Sequence, residues 1–256
     1  MSSSPLNFVE SGRGPLLVLS HALGLDLSMW DAVVPLLESR FTVLRYDHRG
    51  HGKSQAAANG PFTIEDLADD AAALIRSRTG APAIFVGLSM GGMTAQALAV
   101  RAPELLSHIV IANSSAYYAD RTPWAARVQR VQAEGVQAIA DGAVDRWITP
   151  GFRATAAGGQ VAAALRATLV ATLAPAYAAS CDAVGSIDFR ESNRQIRVPT
   201  LVVAGTQDLA TPPAMSEDIA AAIPGARLAS IDAAHISAVE KPAELAALIL
   251  DFVGAA

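Results

Sequence analysis

A serine lies between an apolar run and a helical pattern in the segment Pro82-Ala-Ile-Phe-Val-Gly-Leu-Ser-Met-Gly-Gly-Met-Thr-Ala-Gln-Ala-Leu-Ala99. The run is typical of a strand buried on both faces. Ser89 has glycine two positions before it and two positions after it. A tight strand-to-helix turn strains its central residue, and backbone approaches closely only where side chains are absent. We therefore predict a nucleophilic Ser89 at a strand end beside a helix N-terminus, rather than an incidental serine in a glycine-rich turn.

The same alternation of strand and helix extends along most of the chain. Short apolar or β-branched runs predict strands at 15–20, 41–46, 82–87, 109–112, 200–204 and 227–231. Helical periodicity predicts helices at about 28–38, 64–77, 90–100, 214–222 and 242–253. Thr63 and Asp66 have the spacing of a capping box for the second helix. With the nucleophile turn, this order predicts the α/β-hydrolase fold: a doubly wound, mostly parallel sheet.

One long segment interrupts that alternation. Between residues 118 and 191 the sequence is Ala-rich and helical, with proline and glycine breaks and no convincing strand. We predict a helical cap (lid) insertion at 118–191, carried on a core formed by 1–117 and 192–256. Such an insertion would cover the carboxyl ends of the strands, where open α/β sheets bind ligands.

A serine nucleophile needs a histidine base, which in turn needs an acid to orient it. In this fold the partners follow in the order serine, acid, histidine. Asp208 follows the predicted strand at 200–204, and His235 follows the one at 227–231. Asp232 is a rival acid, but it shares the short loop of His235 and would have to fold back on it. We predict the triad Ser89, Asp208 and His235.

Two backbone N–H groups should complete the site by binding the oxyanion. One comes from the residue after the nucleophile, Met90, and the other from an early strand–helix loop, where we choose Leu23. His48 and His51 could suggest a metal clip, but no further His or Cys cluster accompanies them. We therefore expect no metal and no cofactor.

Composition excludes several other classes. Hydrophobic residues make up 52% and charged residues 17%, which is incompatible with disorder. The 19 Lys and Arg residues are scattered against 24 Asp and Glu, so no nucleic-acid or membrane-binding stripe is expected. The uncharged stretch 79–100 is broken by proline and glycine, and the N-terminus lacks the pattern of a signal peptide. We expect a cytoplasmic protein that acts on a small molecule, with its oligomeric state left open.

Several motifs, spread over nearly the whole chain, resemble the 3-oxoadipate enol-lactonases of aromatic-compound catabolism by the β-ketoadipate pathway. They are Leu19-Ser-His-Ala-Leu-Gly-Leu-Asp-Leu-Ser-Met-Trp30, Asp47-His-Arg-Gly-His-Gly-Lys-Ser54, Gly87-Leu-Ser-Met-Gly-Gly-Met93, Asp145-Arg-Trp-Ile-Thr-Pro-Gly-Phe152, Arg197-Val-Pro-Thr-Leu-Val-Val-Ala-Gly-Thr-Gln-Asp208 and Asp232-Ala-Ala-His-Ile-Ser237. The resemblance implies a serine esterase that opens a small carboxylic ester or lactone through an acyl-enzyme. Such a substrate carries a carboxylate, so a cation should face the pocket. The candidates are Arg121, Arg127 and Arg146, with Trp124 or Trp147 as an apolar wall.

The sequence also departs from that family. His21-Ala22 stands where an Asn-Ser pair is expected, and residues 113–118 differ from the usual small-residue run. A broad-specificity carboxylesterase, or a haloperoxidase-like perhydrolase, would keep the triad and change only such segments. A non-catalytic ligand-binding protein on the same fold is a further alternative. Serine at position 89 argues against dehalogenases and epoxide hydrolases, which use an aspartate there.

Overall fold

The computed structural model describes residues 6–57 and 60–254. Its strands form one seven-stranded sheet in the order β1-β3-β2-β4-β5-β6-β7, in which only the β1–β3 pair is antiparallel. The strands are β1 Phe8–Gly12, β2 Leu16–Ser20, β3 Thr42–Tyr46, β4 Ala83–Leu88, β5 Leu106–Ala112, β6 Thr200–Gly205 and β7 Arg227–Ile231. All residues of β2, β4 and β6 are buried, as expected for strands covered on both faces. The predicted fold class is confirmed.

Eleven α-helices accompany the sheet in the described part of the chain. They are α1 Val34–Leu37, α2 Ile64–Arg78, α3 Met90–Arg101, α4 Thr122–Glu134, α5 Gln137–Trp147, α6 Pro150–Arg153, α7 Ala156–Ala171, α8 Ala174–Gly185, α9 Pro213–Ala222, α10 Ser237–Glu240 and α11 Pro242–Gly254. The predicted capping box at the start of α2 is present, with Thr63 and Asp66 each accepting a backbone N–H of the other. It supplies acceptors for two N–H groups that a helix start would otherwise leave unpaired.

Two parts of the fold differ from the sequence-based expectation. The edge strand β1 was not predicted, since the strand is short, partly polar and largely exposed. The helix predicted at 28–38 is instead a 3-10 helix at Leu27–Trp30 followed by α1. Pro35 lies in the first turn of α1. Because proline has no N–H to donate to the preceding turn, it begins a helix there and cannot continue an earlier one.

The segment between β5 and β6 contains α4 to α8 and no strand. An isolated bridge between Tyr117 and Asp188 closes its base, near the ends predicted for the insertion. We propose that these helices form a cap over the core. No single described helix is long and apolar enough to span a membrane; α7 and α8 meet that criterion only jointly, with a 100° bend between them.

Candidate active site

Ser89 occupies the turn between β4 and α3 in a backbone conformation that non-glycine residues rarely adopt. Its φ of 57° and ψ of −115° lie outside the favoured regions, so the turn is strained. A Cβ on Gly87 would lie 2.0 Å from the carbonyl oxygen of Gly91, and one on Gly91 would lie 2.1 Å from that of Ser20. The glycine spacing is therefore a steric requirement of this turn, as the sequence predicted.

His235 joins Ser89 to Asp208 through its two ring nitrogens. His235 Nε2 lies 2.9 Å from Ser89 Oγ, and Nδ1 lies 2.8 Å from Asp208 Oδ2. All three side chains are buried. Because the ionised Asp208 only accepts, Nδ1 carries the proton and Nε2 is free to accept from the serine. The structure thus brings together all three residues of the predicted triad.

The rival acid Asp232 points elsewhere. It is exposed, and its Oδ1 accepts hydrogen bonds from Gln207 and Thr206 at 2.8 and 3.1 Å. These contacts lower the pKa of Asp232. Of these two acids in the described part of the chain, Asp208 is the one that lies within hydrogen-bonding distance of the His235 ring.

Asp208 is held by a ring of donors that the sequence did not reveal. Its Oδ1 accepts from the backbone N–H groups of Ala210 and Thr211 at 2.8 and 2.9 Å, and its Oδ2 accepts from the Thr211 hydroxyl at 2.8 Å. Burial alone would raise the pKa of Asp208, but His235 and the Thr211 donors outweigh it and lower the pKa below its ordinary value. The Asp208 carboxyl is therefore ionised in the enzyme near neutral pH and can accept a hydrogen bond from His235 Nδ1.

Asn113 is a second support that sequence analysis missed. It adopts a left-handed conformation with φ of 47°, and its Nδ2 donates to Asp208 Oδ2 at 3.1 Å and to the Ala234 carbonyl at 3.2 Å. Ser237 donates to its Oδ1 at 2.7 Å. Asn113 directly follows β5 and lies 95 positions from Asp208 in the sequence. The sequence signals were its place after an apolar strand and the departure of residues 113–118 from the family pattern, and neither indicated a contact with Asp208.

The two predicted oxyanion donors lie next to this group. Met90 begins α3, so its N–H has no partner within the helix. Leu23 lines the same cavity as Ser89 and His235. Within the described residues, neither the Leu23 nor the Met90 N–H donates to a protein acceptor. Both are thus free for a ligand, and their role as oxyanion donors stays a prediction.

A cavity of about 260 Å³ opens above Ser89 and extends under the inserted helices. Four of the five residues predicted to bind substrate line it: Trp124, Trp147, Arg127 and Arg146. The structure does not bring Arg121 to this cavity, because Arg121 precedes α4 on the exposed surface and donates to the Ser186 carbonyl instead. Tyr118, Tyr177, Val184 and Leu209 add to the apolar part of the wall.

Arg127 and Arg146 form no ion pair within the described residues. Partial burial and the neighbouring charge of Arg127 lower the pKa of Arg146, although an arginine stays protonated. The Arg127 guanidinium lies 4.8 Å from the ring centroid of Trp124. Asp120 also lines the cavity, but it is exposed and accepts the Thr122 N–H. The part of the cavity that Arg127 and Arg146 line is therefore positively charged.

The histidines outside the triad do not assemble a metal site in the described residues. His21, His48 and His51 are buried and pack edge-on, with ring centroids 4.6 and 5.2 Å apart for the two pairs that include His21. Both ring nitrogens of His21 and of His51 lie within hydrogen-bonding distance of backbone groups, and His48 Nε2 lies 2.8 Å from Ser20 Oγ, whereas His48 Nδ1 has no partner among the described residues. The single cysteine, Cys181, is buried, and burial raises its pKa to about 12. It is therefore an unreactive thiol.

The sequence model of a family described as alpha/beta hydrolase fold matches residues 15–146 and 162–242. The chain belongs to the α/β-hydrolase family. This α/β-hydrolase is 36% identical over 239 residues to 3-oxoadipate enol-lactonase 2 of Acinetobacter baylyi, covering 93% of this chain and 88% of that protein. The crystal structure of the enol-lactonase from Burkholderia xenovorans LB400 superimposes with a TM-score of 0.92 at 39% identity, covering 97% and 96% of the two chains.

An esterase is also among the relatives of this α/β-hydrolase. The thermophilic esterase from Thermogutta terrifontis, solved with malate bound, has a TM-score of 0.91 and 27% identity, covering 98% of this chain and 93% of that one. The resemblance to enol-lactonases predicted from the motifs is confirmed. Together, the relatives establish a carboxylic ester hydrolase.

Proposed function

We propose that this enzyme opens a small lactone that carries a free carboxylate, 3-oxoadipate enol-lactone, and releases 3-oxoadipate. The observation that carries the proposal is that two guanidinium groups with no ion-pair partner among the described residues, those of Arg127 and Arg146, line the cavity that contains Ser89. Two like charges side by side in a partly buried cavity repel each other. A bound carboxylate relieves that repulsion and accepts charge-assisted hydrogen bonds.

The shape of the cavity fits the rest of such a substrate. Trp124 and Trp147 provide flat apolar surfaces for a small ring. The cavity volume of about 260 Å³ suits a molecule of some ten heavy atoms. A substrate held at one end by the arginines and at the other by the oxyanion donors would present its carbonyl carbon to Ser89.

The first half-reaction is acylation. Ser89 Oγ attacks the lactone carbonyl as His235 Nε2 takes its proton, and Asp208 stabilises the imidazolium through Nδ1–H. The N–H groups of Leu23 and Met90 bind the negative oxygen of the tetrahedral intermediate. That intermediate collapses by breaking the bond to the ring oxygen, which receives the proton from His235. The released enol tautomerises to a ketone, which makes ring opening effectively irreversible.

The second half-reaction is deacylation. Water attacks the ester carbonyl of the acyl-enzyme while His235 again accepts the proton. The second tetrahedral intermediate expels Ser89 Oγ, which regains its proton from His235. One water is consumed, one carboxylate is formed, and the enzyme returns to its starting state. Every step uses side chains or backbone N–H groups of this chain and no added cofactor.

The test compares 3-oxoadipate enol-lactone with the neutral ester p-nitrophenyl butyrate. We expect a higher kcat/KM for the lactone, and no turnover of either by Ser89→Ala. Arg146→Gln should lower kcat/KM for the lactone by about 10- to 100-fold, since it removes a charged hydrogen bond, and leave the neutral ester within about 3-fold. Arg121→Gln is the matched control, because Arg121 belongs to the same segment but lies outside the cavity.

Either of two results would overturn the assignment. A preference for the butyrate ester would leave the assignment of the triad unchanged and would rule out the lactone as the preferred substrate. An equal loss on both substrates in Arg146→Gln would show that this arginine supports the fold rather than the carboxylate. The same proposal includes a cytoplasmic location and a role in aromatic-compound catabolism, and both depend on the result with the lactone.

The second candidate is a carboxylesterase for short neutral esters. It is favoured by Leu209, which lines the cavity and is 72% exposed, so an apolar group can be held near the opening. The substrate comparison above distinguishes the two, since only the lactone needs the cationic part of the cavity.

A further inference from the structure

His21 is a fully buried histidine directly after β2, and no step of the proposed mechanism uses it. Its Nδ1 lies 2.8 Å from the carbonyl oxygen of Ala22, the next residue. Its Nε2 accepts the backbone N–H of His48 at 2.9 Å. Both ring nitrogens are therefore occupied by backbone groups.

These two contacts allow only one form of the ring. The His48 N–H can only donate, so Nε2 of His21 carries no proton. The Ala22 carbonyl can only accept, so Nδ1 carries the proton and donates it. Burial lowers the pKa of His21 to about 4, which keeps the ring neutral in this form near pH 7.

The Ala22 carbonyl belongs to the same peptide unit as the Leu23 N–H, the second predicted oxyanion donor. The described residues contain no cis peptide bond, so the C=O and N–H of this unit point in opposite directions. The Ala22 oxygen also accepts the Leu25 N–H at 3.2 Å, and the shorter contact from His21, at 2.8 Å, adds a second donor that holds this oxygen and with it the direction of the Leu23 N–H on the other side. A flipped unit would turn a carbonyl oxygen, instead of a donor, toward the oxyanion.

A second histidine fixes the next peptide unit in a reciprocal way. The Gly24 N–H donates to His51 Nε2 at 3.0 Å, just as the His48 N–H donates to His21 Nε2. The loop after β2 and the loop after β3 therefore each provide a histidine nitrogen that accepts a backbone N–H from the other loop. Gly24 has a φ of 75°, and a Cβ there would lie 2.5 Å from Leu169 of α7. The loop is thus held between the 47–51 segment and the inserted helices.

We propose that His21 is a positioning residue of the oxyanion hole, whose Nδ1–H holds the Ala22 carbonyl so that the Leu23 N–H faces the substrate oxygen. This inference rests on the proposed acyl-transfer function, but not on the identity of the lactone. A change at His21 should therefore weaken binding of the transition state and leave binding of the substrate unchanged.

The test uses two substitutions that separate the contacts of the ring. In His21→Asn the side-chain amide lies near the former Nδ1 and can still donate to Ala22. In His21→Gln the amide reaches the former Nε2 and offers nothing at Nδ1. With p-nitrophenyl butyrate we expect His21→Gln to lose about 10- to 100-fold in kcat with KM within about 3-fold, and His21→Asn to retain kcat within about 3-fold. Affinity for butylboronic acid, which forms a tetrahedral adduct with the serine, should fall with kcat.

Equal kcat values for the two variants would overturn the proposal, whether both match the wild type or both are impaired. Circular dichroism and the melting temperature check that each variant is folded. If His21→Gln does not fold, ¹⁵N NMR of histidine-labelled wild-type enzyme decides, with the His21 signal identified by its loss in His21→Asn. A proton on Nδ1 between pH 6 and 8 supports the proposal, and a proton on Nε2 contradicts it. Residual turnover in Ser89→Ala would instead refute the proposed function, which separates the two failures.

Discussion

The carboxylate of Glu240 accepts hydrogen bonds from the hydroxyl and, at 3.2 Å, from the backbone N–H of Thr149. Its Oε2 also accepts the N–H of Ala234, the residue before His235, at 3.1 Å. Thr149 lies between α5 and α6, inside the inserted segment. Glu240 is buried and has no ion-pair partner among the described residues. It therefore ties the inserted helices to the loop that carries the histidine of the triad.

Replacing Glu240 should weaken both the fold and the site. Glu240→Ala leaves the N–H groups of Thr149 and Ala234 without an acceptor, at a cost of about 1–3 kcal/mol each. We expect the free energy of unfolding to fall by about 2–4 kcal/mol in urea titration, and kcat to fall because His235 is less well held. Glu244→Ala is the control: Glu244 pairs with Lys241 on the surface, and its loss should cost less than about 1 kcal/mol. Equal stability losses in the two variants would show that Glu240 makes no such connection.

The glycines around Ser89 should tolerate no side chain. In Gly91→Ala the new Cβ would lie 2.1 Å from a backbone oxygen, which cannot move away without displacing β2. We expect a loss of about 3 kcal/mol or more in the free energy of unfolding, or no folded protein at all. Gly151→Ala is the matched control, since no described atom lies within 4 Å of that Cβ. It should be neutral or stabilising by up to about 1 kcal/mol, because alanine favours the helix. A stable, active Gly91→Ala would contradict the steric account of the turn.

The sequence predicted the sheet and the larger helices because their signals are local. The buried strands β4 and β6 are continuous apolar runs, and α2 begins at a capping box that can be recognised within four residues. Strand β1 was missed because an edge strand buries little and needs no apolar pattern. Pro35 is a local signal against one continuous helix at 28–38, because proline cannot donate an N–H to a preceding turn.

In the site, the chain order of the fold was enough to predict which residues meet, but it could not predict what supports them. Ser89, Asp208 and His235 follow strand ends, and parallel strands bring those ends to one edge of the sheet. The contacts of Asn113 with Asp208 and of Glu240 with Thr149 span 95 and 91 residues. No periodicity or spacing indicates such contacts. The position of Arg121 outside the cavity was equally undetermined, since it depends on how α4 packs over the core.

Asp208 and Asp232 should differ sharply when each is replaced by asparagine. Asp208→Asn removes the acceptor for His235 Nδ1–H, so the ring loses its required form, and we expect kcat to fall by about 10⁴-fold. Asp232→Asn keeps an acceptor for Gln207 and does not touch His235, so kcat should stay within about 3-fold. Steady-state kinetics on p-nitrophenyl butyrate measure both. A larger loss in Asp232→Asn would transfer the role of the acid to Asp232.

The buried histidines should make the fold acid-sensitive in a defined pH range. Burial lowers the pKa of His21 to about 4 and that of His51 to about 3, and it lowers the pKa of His48 well below the ordinary value. In the unfolded chain these rings take up protons below about pH 6.5, while in the folded chain they stay neutral. The unfolded state therefore binds more protons as the pH falls, and stability falls with it.

Each such ring contributes a slope of about 1.4 kcal/mol per pH unit between its unfolded and folded pKa. We expect the free energy of unfolding, from urea titrations at pH 7.5, 6.0 and 5.0, to be steady above pH 7 and to fall steeply below pH 6. Asp208 does not account for this loss, because its pKa is lowered from a value already below that range. His21→Asn should retain the decline with a slope reduced by about 1.4 kcal/mol per pH unit. A free energy of unfolding that is the same at pH 7.5 and pH 5.0 would mean that these rings are not buried as neutral groups.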